Sequence, residues 1–182
     1  MLIKTLQRAL SIIKFEGNTY LEIENDKDSI YQSGIVIFLA ALVNVLLFKI
    51  YILPTLPSKV PILLVLILWV FFNWFIFSII LSFIAKQNSS EISHKDKRTA
   101  LCLVGFSNSA EILKILIIFF PNFIVFFSWG ILMLVIASQA LGVKQIYKLE
   151  KISTAIGCVI LSYIILTLLI VISVILLIKL AY

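Results

Sequence analysis

Charge is what this chain has least of. Only 13% of its 182 residues are Asp, Glu, Lys or Arg, against about 25% in soluble domains. Too few polar side chains remain to cover a soluble surface. Cysteine is scarce as well: with two, Cys102 and Cys158, no disulfide framework or Cys-rich metal site can be assembled, and both read as small packing residues. Six Gly and four Pro exclude collagen-like and low-complexity sequence. The single histidine, His94, falls in a polar segment, so paired intramembrane histidines for haem or chlorophyll are excluded. HExxH and a Gly-rich phosphate loop are also missing. His94 has no Ser or Cys motif around it, and eight of the nine carboxylates lie in polar segments, which argues against an intramembrane hydrolase. The expectation is a protein that is not an enzyme and has neither cofactor nor metal.

Apolar residues are abundant, at 62%. A membrane helix needs about 20 of them in succession, at ~1.5 Å each across ~30 Å of hydrocarbon. Five stretches qualify: Gly34–Leu53, Pro61–Ala85, Ala100–Phe120, Phe123–Gly142 and Ser153–Ile178. Pro54, Pro57 and Pro61 separate the first two, and Pro121-Asn122 forces a hairpin between the third and fourth. The predicted fold is all-α: residues 34–182 form a five-helix membrane domain, preceded by an amphipathic and acidic segment, 1–33.

Basic residues set the orientation, because cytoplasmic loops hold the excess of Lys and Arg. Five crossings place eleven on the side of the N-terminus and two, Lys59 and Lys179, on the other. The N-terminus is expected in the cytoplasm and the C-terminus opposite. The net charge of +6 then mainly records insertion, and no nucleic-acid patch remains.

Within the N-terminal segment, Leu2, Ile3, Leu6, Ala9, Leu10 and Ile13 recur at helical spacing, with Lys4, Gln7, Arg8, Ser11 and Lys14 between them. Such a helix suits the headgroup plane, with Lys4, Arg8 and Lys14 toward anionic inner-leaflet lipid; the alternative is docking on the bundle itself. Glu16-Gly17-Asn18 should end it. Glu22, Glu24, Asp26 and Asp28 then lead to the first span, capped by Asp28 or Ser29.

One place violates the apolar rule. Glu111 and Lys114 fall near the bilayer midplane in the third span, where a charge costs about 2.5–3.5 kcal/mol on insertion scales. Their i, i+3 spacing puts them on one face, with Asn44, Asn73, Asn108 and Gln139 as candidate neighbours. Two readings stand: a structural pair that orients one helix, or a small ion or proton channel or transporter. Close helix packing is expected at three small-xxx-small spacings, Gly105…Ser109, Ser138…Gly142 and Ser153…Gly157. These predict that the third, fourth and fifth spans meet tightly, with Gln139 and Asn108 hydrogen-bonded across the contact. Trp69, Trp74, Trp129 and fourteen Phe read as ordinary bundle filling.

The order of these parts resembles a known family. An aromatic-acidic segment, KFEGNTYLEIENDKDSIYQS, precedes five closely spaced spans; the third contains LVGFSNSAEILKIL, and the fourth runs from SWGILMLVIASQALGV into KQIYKLEKISTAI. Over roughly residues 8–178 this is similar to the Yip (Ypt/Rab-interacting protein) membrane-domain family in its prokaryotic form. The diagnostic pieces are Gly105-Phe106-Ser107 and Trp129…Leu141-Gly142…Lys151. Family members commonly have a proline soon after the Gly-aromatic pair, where this chain has Ser109-Ala110-Glu111. The resemblance implies five membrane helices and a role through contacts with lipid or protein, in membrane organisation, shaping or a trafficking-like scaffold. GTPase binding, known for eukaryotic relatives, is not carried over, because their long cytosolic N-terminal region is nearly absent here. The expected partners are membrane lipids and another membrane protein or a second copy. An accessory role in a larger membrane complex is a further alternative.

Overall fold

A computed structural model describes residues 2–51, 60–89 and 97–181. Lys59 and His94, together with Pro54 and Pro57, lie outside the described residues. Among those described there is no strand. Two short helices, α1 (Leu2–Ile13) and α2 (Gly17–Asn25), precede α3 (Ser29–Tyr51) and α4 (Val60–Gln87). Next comes α5 (Lys97–Ser107), which continues without a break as a 3-10 helix, Asn108–Ile118. A 3-10 turn, Pro121–Phe123, leads into α6 (Ile124–Ile146), and α7 (Ile152–Ala181) ends the chain. Five segments are long and apolar enough to cross a membrane: α3, α4, α5 with its 3-10 continuation, α6 and α7.

The protein is therefore a polytopic helix bundle with a short N-terminal helix beside it. The element boundaries differ in informative ways. The first span begins at Ser29, five residues ahead of the hydropathy edge, because the polar turn carrying Ser29, Gln32 and Ser33 is buried against the bundle and not in water. Asp28 precedes the helix and its carbonyl accepts the Gln32 N–H at 3.2 Å. Ahead of it Asp26 makes an Asx turn, its Oδ1 taking the Asp28 N–H at 2.9 Å.

The acidic stretch proves to be helical. Between α1 and α2, Phe15 turns with φ 60°, and the Glu16 N–H reaches the Ser11 carbonyl at 3.0 Å. This is a Schellman-type stop with a non-glycine residue in the left-handed position. Lys148 (φ 51°) ends α6 the same way, with the Leu149 N–H on the Lys144 carbonyl at 3.1 Å. Both stops lie at the end of the bundle that carries α1 and α2.

The core is concentrated at that end. Its largest fully buried side chains include Ile12 of α1, Tyr20 and Ile23 of α2, Leu103 and Phe106 of α5, and Ile146 with Tyr147 at the close of α6. Burial holds the Tyr20 phenol above its usual range, so it stays a neutral donor, and it donates to the Ser138 carbonyl at 2.7 Å. Packing loosens toward the opposite end. No described residue of α7 beyond Ser162 is fully buried.

Candidate functional site

The 3-10 segment explains the midplane cluster. With three residues per turn, side chains at i and i+3 eclipse one another. Asn108, Glu111, Lys114 and Ile117 therefore stand in one straight row. Lys114 Nζ pairs with Glu111 Oε2. From α3, Asn44 touches both: its Nδ2 donates to Glu111 Oε2 at 3.3 Å, and its Oδ1 accepts from Lys114 Nζ at 3.3 Å. The same Nδ2 also donates to the Ala40 carbonyl at 3.0 Å. Asn44 thus satisfies both ends of an ion pair that hydrocarbon would otherwise penalise.

Two cavities border this cluster, stacked along the bundle axis. The one nearer α1 and α2 has a volume of about 270 Å³ and receives Asn108, Glu111, Asn73, Gln139 and Tyr163. The other, about 350 Å³, receives Lys114, Ile117, Tyr51 and Ser128. Asn44, Trp69 and Val70 line both, so Asn44 with the ion pair forms the partition between them.

Of the four expected neighbours, Asn44 alone bonds the ion pair. Asn73 and Asn108 share a cavity with Glu111, but their amide nitrogens donate to their own helices, at the Trp69 carbonyl (2.7 Å) and the Val104 carbonyl (2.8 Å). Gln139 is fully buried on the same cavity. The expected Gln139–Asn108 hydrogen bond is not formed: among the described residues, neither Oε1 nor Nε2 of Gln139 finds a partner.

A second polar centre lies at the end of the bundle with α1. Asp26 Oδ2 takes Lys4 Nζ at 2.7 Å and Arg8 Nη1 at 2.8 Å. Its backbone carbonyl accepts Arg98 Nη2 at 2.7 Å and Ser29 Oγ at 2.7 Å. Arg8 Nη1 also donates to Gln32 Oε1 at 2.8 Å. One residue thus joins α1, α3 and the start of α5. The hydrogen bonds from Lys4 and from the Asp28 N–H, with Arg8 adding to them, hold the Asp26 carboxyl well below the usual carboxylate range.

This arrangement corrects the expectation that Arg8 faces lipid. Arg8 is 7% exposed, because a carboxylate and an amide within reach offer it better partners than headgroups would. Lys4 is exposed yet also paired with Asp26, and Lys14 is exposed. Helix α1 consequently has three faces. Thr5, Arg8, Ala9 and Ile12 dock on the bundle; Lys4 and Gln7, with Lys14 just past the helix end, form an exposed polar edge; Leu2, Ile3, Leu6 and Leu10 are exposed, Ile3 to 74%.

The small-residue spacings find the expected partners only in part. Gly105 packs on α3, where an added Cβ would stand 2.5 Å from the Ser33 Cβ. Gly142 meets the expected third span at Leu103, whose Cγ would lie 3.0 Å from an added Cβ, but it also receives the Tyr20 ring of α2, at 2.6 Å. Ser109 Oγ donates to the Ala9 carbonyl of α1 at 3.2 Å, and Ser138 Oγ donates within its own helix. Ser153 and Gly157 are exposed, and nothing lies within 4 Å of a Cβ added at Gly157. The reason is rotational: α7 turns Ala155, Cys158, Val159 and Ser162 inward, a stripe two to three residues out of phase with the expected one.

Comparisons with protein-family models, with curated proteins and with solved structures give no match.

Proposed function

We propose that this is a non-enzymatic integral membrane protein of the Yip-like type, acting through lipid and protein contacts at the end of the bundle that bears α1. The reading takes that end as cytoplasmic, in keeping with the concentration of Lys and Arg there. One observation carries it. Helix α1 is fastened to the bundle through Thr5, Arg8, Ala9 and Ile12, and this leaves Leu2, Ile3, Leu6 and Leu10 without protein cover. An apolar stripe beside a polar edge, held at the mouth of a membrane bundle, is suited to lie in the boundary between headgroups and acyl chains. Fastening it there removes the ordering cost a free peptide would meet.

The test is reconstitution of the full chain into liposomes containing anionic lipid, with vesicle diameter and tubulation followed by electron microscopy. The protein should narrow or tubulate vesicles. The double variant Leu6→Asp/Leu10→Asp should lose most of that effect while remaining folded, since neither side chain belongs to the core. Equal activity of the variant would remove this mechanism.

A second reading, transport, is favoured by the cavities on either side of Asn44, Glu111 and Lys114. It predicts ion or proton flux in proteoliposomes that Glu111→Gln abolishes. No flux from either protein would leave the cluster as a structural pair.

A further inference from the structure

A buried side-chain amide without partners is costly, and folded proteins retain one mainly where something outside the chain satisfies it. Gln139 is such a group: 0% exposed, with both Oε1 and Nε2 unbonded among the described residues. The Tyr163 hydroxyl lies beside it, short of hydrogen-bonding geometry. Both line the cavity of about 270 Å³.

The remaining polar wall defines what would fit. Asn73 and Asn108 commit their nitrogens to the Trp69 and Val104 carbonyls. A carbonyl partner fixes which end of each amide is nitrogen, so the Oδ1 atoms are left as acceptors. Glu111 adds an acceptor, and Gln139 offers one donor group and one acceptor. A ligand head that donates to one of these oxygens and accepts from the Gln139 amide, as a hydroxyl does, satisfies both ends of Gln139. It must also be uncharged, because Lys114 already balances Glu111 and any added charge would stand uncompensated in a poorly solvated site. The facing wall is apolar, built from Trp69, Trp74, Phe77 and Leu166. Trp69 is 48% exposed, which opens this wall to the surface where acyl chains run.

We propose that this cavity binds an uncharged, hydroxyl-bearing amphiphile drawn from the bilayer, with its hydroxyl at Gln139 and its chain along the tryptophan wall. The site is independent of the α1 surface; it shares its cavity with the transport reading, and the labelling below reads occupancy without measuring flux.

The experiment uses the full chain in phosphatidylcholine nanodiscs and three diazirine probes of equal chain length: a long-chain alcohol, the matching carboxylic acid and the matching alkane. The alcohol should label peptides containing Trp74 or Tyr163 at least fivefold above the acid and the alkane. Excess unlabelled alcohol should compete that labelling away. Gln139→Leu should abolish the preference with its melting temperature unchanged or raised, since the unsatisfied amide is gone. If that variant does not assemble, Tyr163→Phe, which keeps the ring, and competition on the unmodified chain decide. Equal labelling by the three probes would show a cavity holding only water or ordinary lipid contact and would overturn the proposal. So would a preference that survives Gln139→Leu in a folded protein.

Discussion

Lys114 and Glu111 answer to Asn44 as much as to each other, and that sharing sets what a single substitution does. Glu111→Gln leaves an ammonium without its counter-charge in the membrane interior; breaking such a pair from one side should cost about 2–4 kcal/mol, somewhat under the range for fully buried pairs because both groups keep some exposure. Replacing both, as Glu111→Gln/Lys114→Met, removes the stranded charge and should recover most of the loss. Unfolding of both variants in mixed detergent micelles measures the difference, and equal destabilisation would mean that the ion pair is not coupled. The pairing of the two residues was legible in the sequence, since i, i+3 spacing puts them on one face. Asn44 was legible by depth. The isolation of Gln139 was not, because polarity and depth predict a partner and only packing shows that none arrives. Arg8 was misread for a related reason: helical spacing assigns a face, while Asp26, which decides where that face points, lies eighteen positions away.

At the scale of elements, the five spans were read correctly because bilayer thickness demands a run of apolar residues that nothing else in the chain imitates. Helix α2 escaped notice because it buries only Thr19, Tyr20 and Ile23, too few for a clear apolar stripe. The 3-10 segment left a trace in the sequence: Asn108, Glu111 and Lys114 recur every three residues, not at the 3.6 of an α-helix. Small-residue spacings identified the approach of the third and fourth spans at Gly142 and Leu103 but not the face that α7 turns inward, since phase depends on how each helix is rotated. Two glycines separate these cases. Gly142→Ala drives a methyl into the Tyr20 ring and should destabilise by about 1–3 kcal/mol, with the Tyr20–Ser138 contact disturbed. Gly157→Ala meets nothing and should be neutral or slightly stabilising, as alanine is in an exposed helix. Thermal unfolding of the two variants side by side provides the comparison.

For the molecule as a whole, packing is dense where α1 and α2 close the bundle and sparse at the far end, so integrity depends on the Asp26 junction. Its pH response follows from linkage. A carboxyl held below its ordinary value of about 3.9 favours the folded state while ionised. Its contribution is complete above that value and is lost as pH falls toward the lower folded value. Amide exchange in α1, corrected for intrinsic rates, should therefore be slow at pH 7 and accelerate below about pH 4. In Asp26→Asn it should already be fast at pH 7, with little further change. Protection of α1 that is the same in both proteins would assign its docking to Ile12 and Ala9 and not to the charges.

The third crossing also has a mechanical property that its neighbours lack. Its last eleven residues, Asn108–Ile118, rise about 2.0 Å each, where an α-helix rises about 1.5 Å. Rewinding them as α-helix would shorten the segment by about 5 Å, roughly one helical pitch, and would break up the straight row of Asn108, Glu111 and Lys114. Extension and alignment of the polar row are thus one coordinate: a force along the bilayer normal, compressive or tensile, is felt directly by the charged partition between the two cavities.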